Sequence, residues 1–221
     1  MYYRKRQALT NYRAGVQKRR KTSRPYSSSQ LGYVPRSFSL GEWKYLDTGL
    51  GTLTMNTTPV LLLLNGLAPG NSASQRIGMK VAIRTLELRA RVATTAGTGV
   101  DQTCRWLIFV DRQSNGVAPT AGDVLTGNLD TFRNLANRKR FKIILDRHFP
   151  LSASAENGSI RVFHAYLKFR RPLLVEFNTG TAGTIADITS GAIYIMVLGS
   201  IASGTTDANM NGTVRLRYTD M

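Results

Sequence analysis

The sequence predicts an all-β protein, an eight-stranded antiparallel jelly roll of two packed sheets behind a disordered basic N-terminal arm. Three observations predict it. After Arg36 the apolar residues alternate or run in short blocks rich in Val, Ile, Leu, Phe and Tyr, separated by Gly, Asn, Thr and Ser. Those blocks number eight, the strand count of a jelly roll. Positive charge gathers ahead of them, where no apolar spacing supports a packed helix.

The arm comes first in the chain. Residues 1–36 contain ten of the thirty basic residues, and no Asp or Glu occurs before Glu42. Tyr2, Tyr3, Tyr12 and Tyr26 lie among the charges, followed by Ser27, Ser28 and Ser29. Such a segment buries too little apolar surface to offset the entropy of ordering, so it is expected to be disordered when free. Each Lys or Arg that neutralises a phosphate releases a counterion, which gives tight, salt-sensitive and sequence-independent binding. Tyrosines between the charges stack on unpaired bases and so favour a single strand. Arg4, Lys5, Arg6, Arg13, Lys18, Arg19, Arg20, Lys21 and Arg24 are therefore the candidate nucleic-acid ligands. Lys18, Arg19, Arg20 and Lys21, with Arg4, Lys5 and Arg6 upstream, also fit a bipartite nuclear import signal read by an acidic receptor groove. A solubilising tail and a tether to acidic membranes are the plainer alternatives for the same charges.

The rest of the chain, 37–221, is expected to form one shell domain. The whole chain of 221 residues is 42% hydrophobic and 19% charged, enough apolar matter for one sizeable core, while its net charge of +17 calls for a polyanionic partner. Cys104, the sole cysteine, rules out an internal disulfide and suits a reduced compartment; its expected role is core filler. The longest apolar runs, 60–64 and 192–198, fall well short of the roughly 20 residues that cross a bilayer, and no apolar stretch follows the basic start as in a signal peptide. No membrane association is expected.

Strands are expected at 42–47, 77–92, 104–111, 141–147, 160–169, 173–178, 192–198 and 213–219. In the second, Ile77, Met79, Val81 and Ile83 share one parity and Leu86, Leu88, Ala90 and Val92 the other, which predicts a β-bulge or bend near Arg84 and Thr85. The strands at 104–111 and 192–198 are apolar on both parities, so each is either central or covered outside by a neighbouring subunit. The connection 112–140 is too long for a turn, and Asp130–Ala136 within it suggests a short helix with Asp130 as N-cap. Connections 179–191 and 199–212 read as exposed tips. In the last strand Val214, Leu216 and Tyr218 take one face and Arg215 and Arg217 the other, so one side should be buried and the other cationic.

Catalytic chemistry has no foothold. His148 and His164 stand at no metal-ligand spacing, there is no phosphate-binding glycine loop ending in Lys-Ser/Thr, and the aspartates are scattered. An enzyme is not expected, nor a cofactor, except that Asp123 or Asp187 would be the loop carboxylates for calcium between subunits.

Leu64-Asn65-Gly66, the stretch from Gln75 through Ile83 with Leu86, and Arg105 through Gln113 together resemble capsid proteins of small circular single-stranded DNA viruses. The same pattern recurs in coat proteins of satellite RNA viruses. Glu42 and Lys44, Arg76 to Gly78, Asp111 to Gln113, and Arg215 to Arg217 are the counterparts of the shared motifs. The resemblance implies a jelly roll of the viral capsid type and sixty copies closing a small icosahedral T=1 shell. It further implies packaged single-stranded nucleic acid, circular DNA first, and a place in the virion, with assembly in the host nucleus through an import receptor. Nine arm cations in sixty copies give about 540 charges, on the order of five hundred phosphates neutralised. Subunit contacts are expected from Trp43, Tyr45 and the loops around Phe132. The competing class is a non-assembling nucleic-acid-binding module with a basic tail, of the ribosomal or OB type. A lectin or cupin-like jelly roll is disfavoured, because cupin metal sites need several histidines and a lectin has no use for the arm.

Overall fold

The computed structural model describes residues 42–94, 100–152, 159–204 and 207–221. The arm ligands Arg4, Lys5, Arg6, Arg13, Lys18, Arg19, Arg20, Lys21 and Arg24 lie outside the described residues.

The described residues form ten strands: β1 (Trp43–Gly49), β2 (Leu53–Met55), β3 (Val60–Leu63), β4 (Lys80–Ala93), β5 (Gln102–Asp111), β6 (Phe141–Leu151), β7 (Ile160–Phe177), β8 (Ile188–Ser190), β9 (Ala192–Gly199) and β10 (Ala208–Asp220). One sheet has the order β1-β10-β4-β7-β8, with β2 also paired to β10; the other has the order β3-β9-β5-β6. The antiparallel partners are nested: β1 with β10, β3 with β9, β4 with β7, and β5 with β6. A long hairpin rolled up on itself has this pairing, which is the jelly roll.

Eight of the ten strands make the four nested pairs, the number expected, but two of the expected eight change identity. Val60–Leu63 is a strand that alternation could not reveal, because all four of its residues are half-buried. The strands expected at 160–169 and 173–178 are one, β7. Arg170, Arg171 and Pro172 look like a turn in sequence; they lie where the β4 ladder steps from Ile83–Leu173 to Thr85–Lys168, leaving Arg84 unpaired. The β10 ladder skips Arg84 too. The bulge expected there exists, and it gives Pro172 a place where no ladder hydrogen bond is required.

The core lies between the sheets. Trp106 is fully buried and meets Phe163 edge-on at 5.6 Å, and Phe163 meets Phe149 at 4.7 Å. Leu86, Leu88, Val214, Leu216 and Tyr218 complete it from the first sheet. β5 and β9 are the central strands of the second sheet and are buried on both faces. Their outer face is sealed by the chain's own 112–140 connection. Arg105 donates from Nη1 to the carbonyls of Leu129 (2.7 Å) and Thr131 (2.8 Å), and Arg140 grips Asp111 through Nε (3.0 Å) and Nη2 (2.8 Å).

The helix in that connection is not at 130–136. It is α1, Ala121–Val124, where Asp123 accepts from both the N–H and the hydroxyl of Thr120, at 2.8 Å each. Segment 130–136 spends its backbone groups otherwise: Leu125 bridges to Arg133, and Asn134 N–H donates to the Val124 carbonyl at 2.8 Å. Asp130 caps nothing there and faces His148 at 3.2 Å. The 179–191 connection is not a free tip either, since Asp187 is buried and accepts from the N–H groups of Gly183 (2.6 Å) and Thr184 (3.2 Å).

Candidate nucleic-acid interface

Strand alternation and ladder register together write a pattern on the outer face of the first sheet. Side chains directly opposite in an antiparallel ladder share a face, so each cross-strand row can be read over β1, β10, β4 and β7 in turn. Trp43, Thr219, Ala82 and Leu174 form one end. Next come Tyr45, Arg217, Thr85 and Lys168, and then Asp47, Arg215, Glu87 and Tyr166. Gly49, Thr213, Arg89 and His164 follow, and beyond them Asn211, Arg91 and Val162.

Five cations on these rows, Arg89, Arg91, Lys168, Arg215 and Arg217, face two carboxylates, Asp47 and Glu87. Arg215 holds Asp47 in a bidentate pair, 2.6 Å from Nε and 2.6 Å from Nη2, with its guanidinium 5.2 Å from the centre of the Tyr45 ring. Arg89 holds Glu87 at 2.7 Å, and His164 and Arg217 approach the same carboxylate at 3.5 and 3.8 Å. The hydrogen bond from Arg215 keeps Asp47 below its ordinary carboxylate pKa, and that from Arg89 does the same for Glu87. Both acids therefore stay ionised and lock their arginines in place. Arg91 and Lys168 have no ion pair among the described residues, so they are free to meet an outside anion.

Aromatic surface is interleaved with this charge. Trp43, Tyr45 and Tyr166 are each about half exposed on the same face. Guanidinium groups with exposed rings are the combination that grips the backbone of a single strand and stacks its bases. Arg215 and Arg217 were legible as a cationic face in the sequence. Arg89, Arg91 and Lys168 were not singled out, although Arg89 and Arg91 alternate with Leu88, Ala90 and Val92 in the same way.

Other motif residues behind the family resemblance, Lys44 and Arg76 to Gly78, serve the fold instead. Lys44 is buried, pairs with Asp220 at 3.0 Å and donates to the Gln75 carbonyl at 3.1 Å. Arg76 is also buried; it donates to the carbonyls of Leu67 (3.2 Å), Gly78 (2.8 Å) and Gly180 (2.8 Å) and lies 4.5 Å over the Phe177 ring. Gly78 has a packing reason: a Cβ there would stand 3.2 Å from the Met221 carbonyl. Of the expected subunit contacts, Trp43 and Tyr45 belong to the charged sheet face, while Phe132 and Leu135 are strongly exposed on the 112–140 connection.

Asp123 and Asp187, the loop carboxylates considered for calcium, both accept hydrogen bonds in local turns. No group of three or more His, Cys, Asp or Glu placed to hold a metal occurs among the described residues. No described helix is long and apolar enough to cross a membrane.

Comparison with known proteins returns coat proteins. The family model described as satellite tobacco necrosis virus coat protein matches residues 44–221. The coat protein of Maize white line mosaic satellite virus is 28% identical, covering 97% of this chain and 98% of that one. The capsid protein of Satellite tobacco necrosis virus 1 is 32% identical, covering 72% and 76%. A solved chain of Desmodium yellow mottle tymovirus, 13% identical and covering 81% and 88%, superposes with a TM-score of 0.31, too low to bear weight. The family model and both of these relatives are coat proteins of satellite viruses, the second side of the resemblance seen in the sequence.

Proposed function

This chain belongs to the satellite tobacco necrosis virus coat protein family, and from that premise we propose that it packages single-stranded RNA inside a closed shell of sixty copies. It is a structural capsid subunit and not an enzyme, as its relatives are coat and capsid proteins. The cargo is the proposed part. The observation that carries it is the outer face of the β1-β10-β4-β7 sheet, where cations outnumber carboxylates and exposed rings stand between them. Arg4, Lys5, Arg6, Arg13, Lys18, Arg19, Arg20, Lys21 and Arg24 would add the larger, sequence-independent share of phosphate binding.

RNA is preferred to the circular DNA first expected because the family is that of a satellite virus, and the satellite coat proteins in the original resemblance were those of RNA viruses. The nuclear import reading of Lys18, Arg19, Arg20 and Lys21 rests on the clustering of four cations alone. Phosphate binding needs the same four, so they are assigned to the cargo.

The test is to express the full chain, image the product by electron microscopy, and digest the extracted cargo. Uniform particles with RNase-sensitive, DNase-resistant contents are expected, and removal of residues 1–36 should strip most of the nucleic acid while leaving the β circular dichroism unchanged. DNase-sensitive contents would return the DNA reading. A persistent monomer in the presence of RNA would favour the non-assembling module instead.

A further inference from the structure

The charged sheet face has more than one hollow; that at Asp47, Glu87, Arg89, Thr213 and Arg215 is filled by its own ion pairs, and another lies beside it. Arg89, Arg91, Val162, His164 and Asn211, over a floor of Ala90, Phe163 and Gly212, bound a cleft of about 630 Å³ across β10, β4 and β7. That volume lies within the range of small-ligand sites. Its floor is a single cross-strand row, Gly212 opposite Ala90 opposite Phe163. Glycine is required at the first position, since a Cβ on Gly212 would run into the Arg89 carbonyl and the Ala90 Cα. The two rows flanking this floor supply the walls.

The walls are chemically mixed in a particular way. Val162 is 78% exposed, an apolar side chain held out on a basic face. Arg91 stands directly opposite it in the ladder and carries no ion pair among the described residues. Thr52 donates its hydroxyl to Asn211 Oδ1 at 3.1 Å, which leaves the Asn211 amide nitrogen as a donor. Arg89 and His164 form the other wall, both held by Glu87. An apolar side chain from a second copy would cover Val162 but would desolvate Arg91 without supplying an anion, a costly exchange. A ligand that suits all of these groups has a flat apolar ring, a hydrogen-bonding edge and a phosphate.

We propose that this cleft is a subsite for one unstacked nucleotide of the packaged strand. The base lies against Val162 and the His164 ring, its edge accepts from Asn211 Nδ2, and its phosphate is held by Arg91 with Arg89 beside it. The subsite rests on the packaging reading above but is narrower, because it makes a defined point of contact on the sheet distinct from the diffuse charge of the arm.

The experiment uses full-chain particles reassembled around a 4-thiouridine-substituted oligouridylate and irradiated with near-ultraviolet light, with the adducts located by mass spectrometry of peptides. Adducts on peptides carrying Arg89–Arg91 or Val162–His164 are expected. Arg91→Ala combined with Val162→Asp should lower their yield by roughly five-fold relative to the adducts on other peptides of the same particles, as loss of stacking and one phosphate contact implies. Val162→Thr, which keeps the side-chain shape, is the milder variant and should lower the yield in the same direction with particles intact. Adducts confined to the arm, or cleft adducts indifferent to both variants, overturn the subsite alone. Particles that take up no oligouridylate sink the packaging reading, and the subsite with it.

Discussion

Lys44 and Asp220 lie 3.0 Å apart near opposite ends of the described chain, and their ion pair fastens β1 to the end of β10 with the ammonium fully buried. Removing one member of a buried pair strands the other charge, which costs several kcal/mol when both are buried. Asp220 is partly exposed, so Asp220→Asn should destabilise the shell domain by about 2 kcal/mol. Urea unfolding followed by tryptophan fluorescence measures it. The double variant Lys44→Met, Asp220→Leu should recover most of the loss; if it is as unstable as the single variant, the pair is not the cause.

Trp106 fills the space between the sheets, buried and edge-on to Phe163. Trp106→Ala should cost roughly 3–5 kcal/mol, because the packed surroundings cannot collapse into so large a void. Trp106→Phe should retain most of the stability. The same unfolding assay, read by circular dichroism, separates the two.

Acid should act late on the charged sheet face. Asp47 and Glu87 are held below their ordinary values of 3.8 and 4.5 by hydrogen bonds from Arg215 and Arg89. A carboxylate with a depressed folded pKa contributes stability that is fully present above its unfolded value and is lost as pH falls through the folded one. The contribution of these two carboxylates should therefore be constant above about pH 4.5 and fade as pH falls, from 4.5 downward for Glu87 and from 3.8 downward for Asp47. Asp47→Asn should flatten that acid limb of the stability profile; an unchanged limb would show that the Arg215 pair contributes nothing. Asp47 is exposed, so the effect of its pair is small.

Cys104 is buried, and burial pushes its thiol up to about 12. Native protein at pH 8 should therefore resist iodoacetamide and react only on unfolding. Labelling of the folded shell at the rate of free cysteine would contradict the burial.

The sheets were legible where one face is wet and the other dry. Val214, Leu216 and Tyr218 against Arg215 and Arg217 announced β10, and the change of parity around Arg84 announced a bulge that both neighbouring ladders show. Legibility failed where that contrast is absent: Val60–Leu63 is half-buried throughout, and Arg170-Arg171-Pro172 reads as a break until Arg84 is known to stand opposite. The 130–136 helix failed because local capping potential at Asp130 competes with a bridge between Leu125 and Arg133 that only the folded chain reveals. As for the interface, two of its arginines were visible in a single strand. The rest required the register between strands, because Arg91 and Val162 are 71 positions apart in sequence and become neighbours only across a ladder.

The position of β10 sets the order in which this molecule can be made. It lies between β1 and β4, so β1 and β2 have no partner in the sheet until residues 208–220 have left the ribosome. Nested pairings this remote in sequence form slowly, and β1 must wait unpaired through the synthesis of nearly the whole domain. A truncation within this thirteen-residue strand would therefore detach β1 and β2 from β4, and a fusion tag placed beyond Met221 should be tested for the yield of folded subunit as well as for its effect on particles.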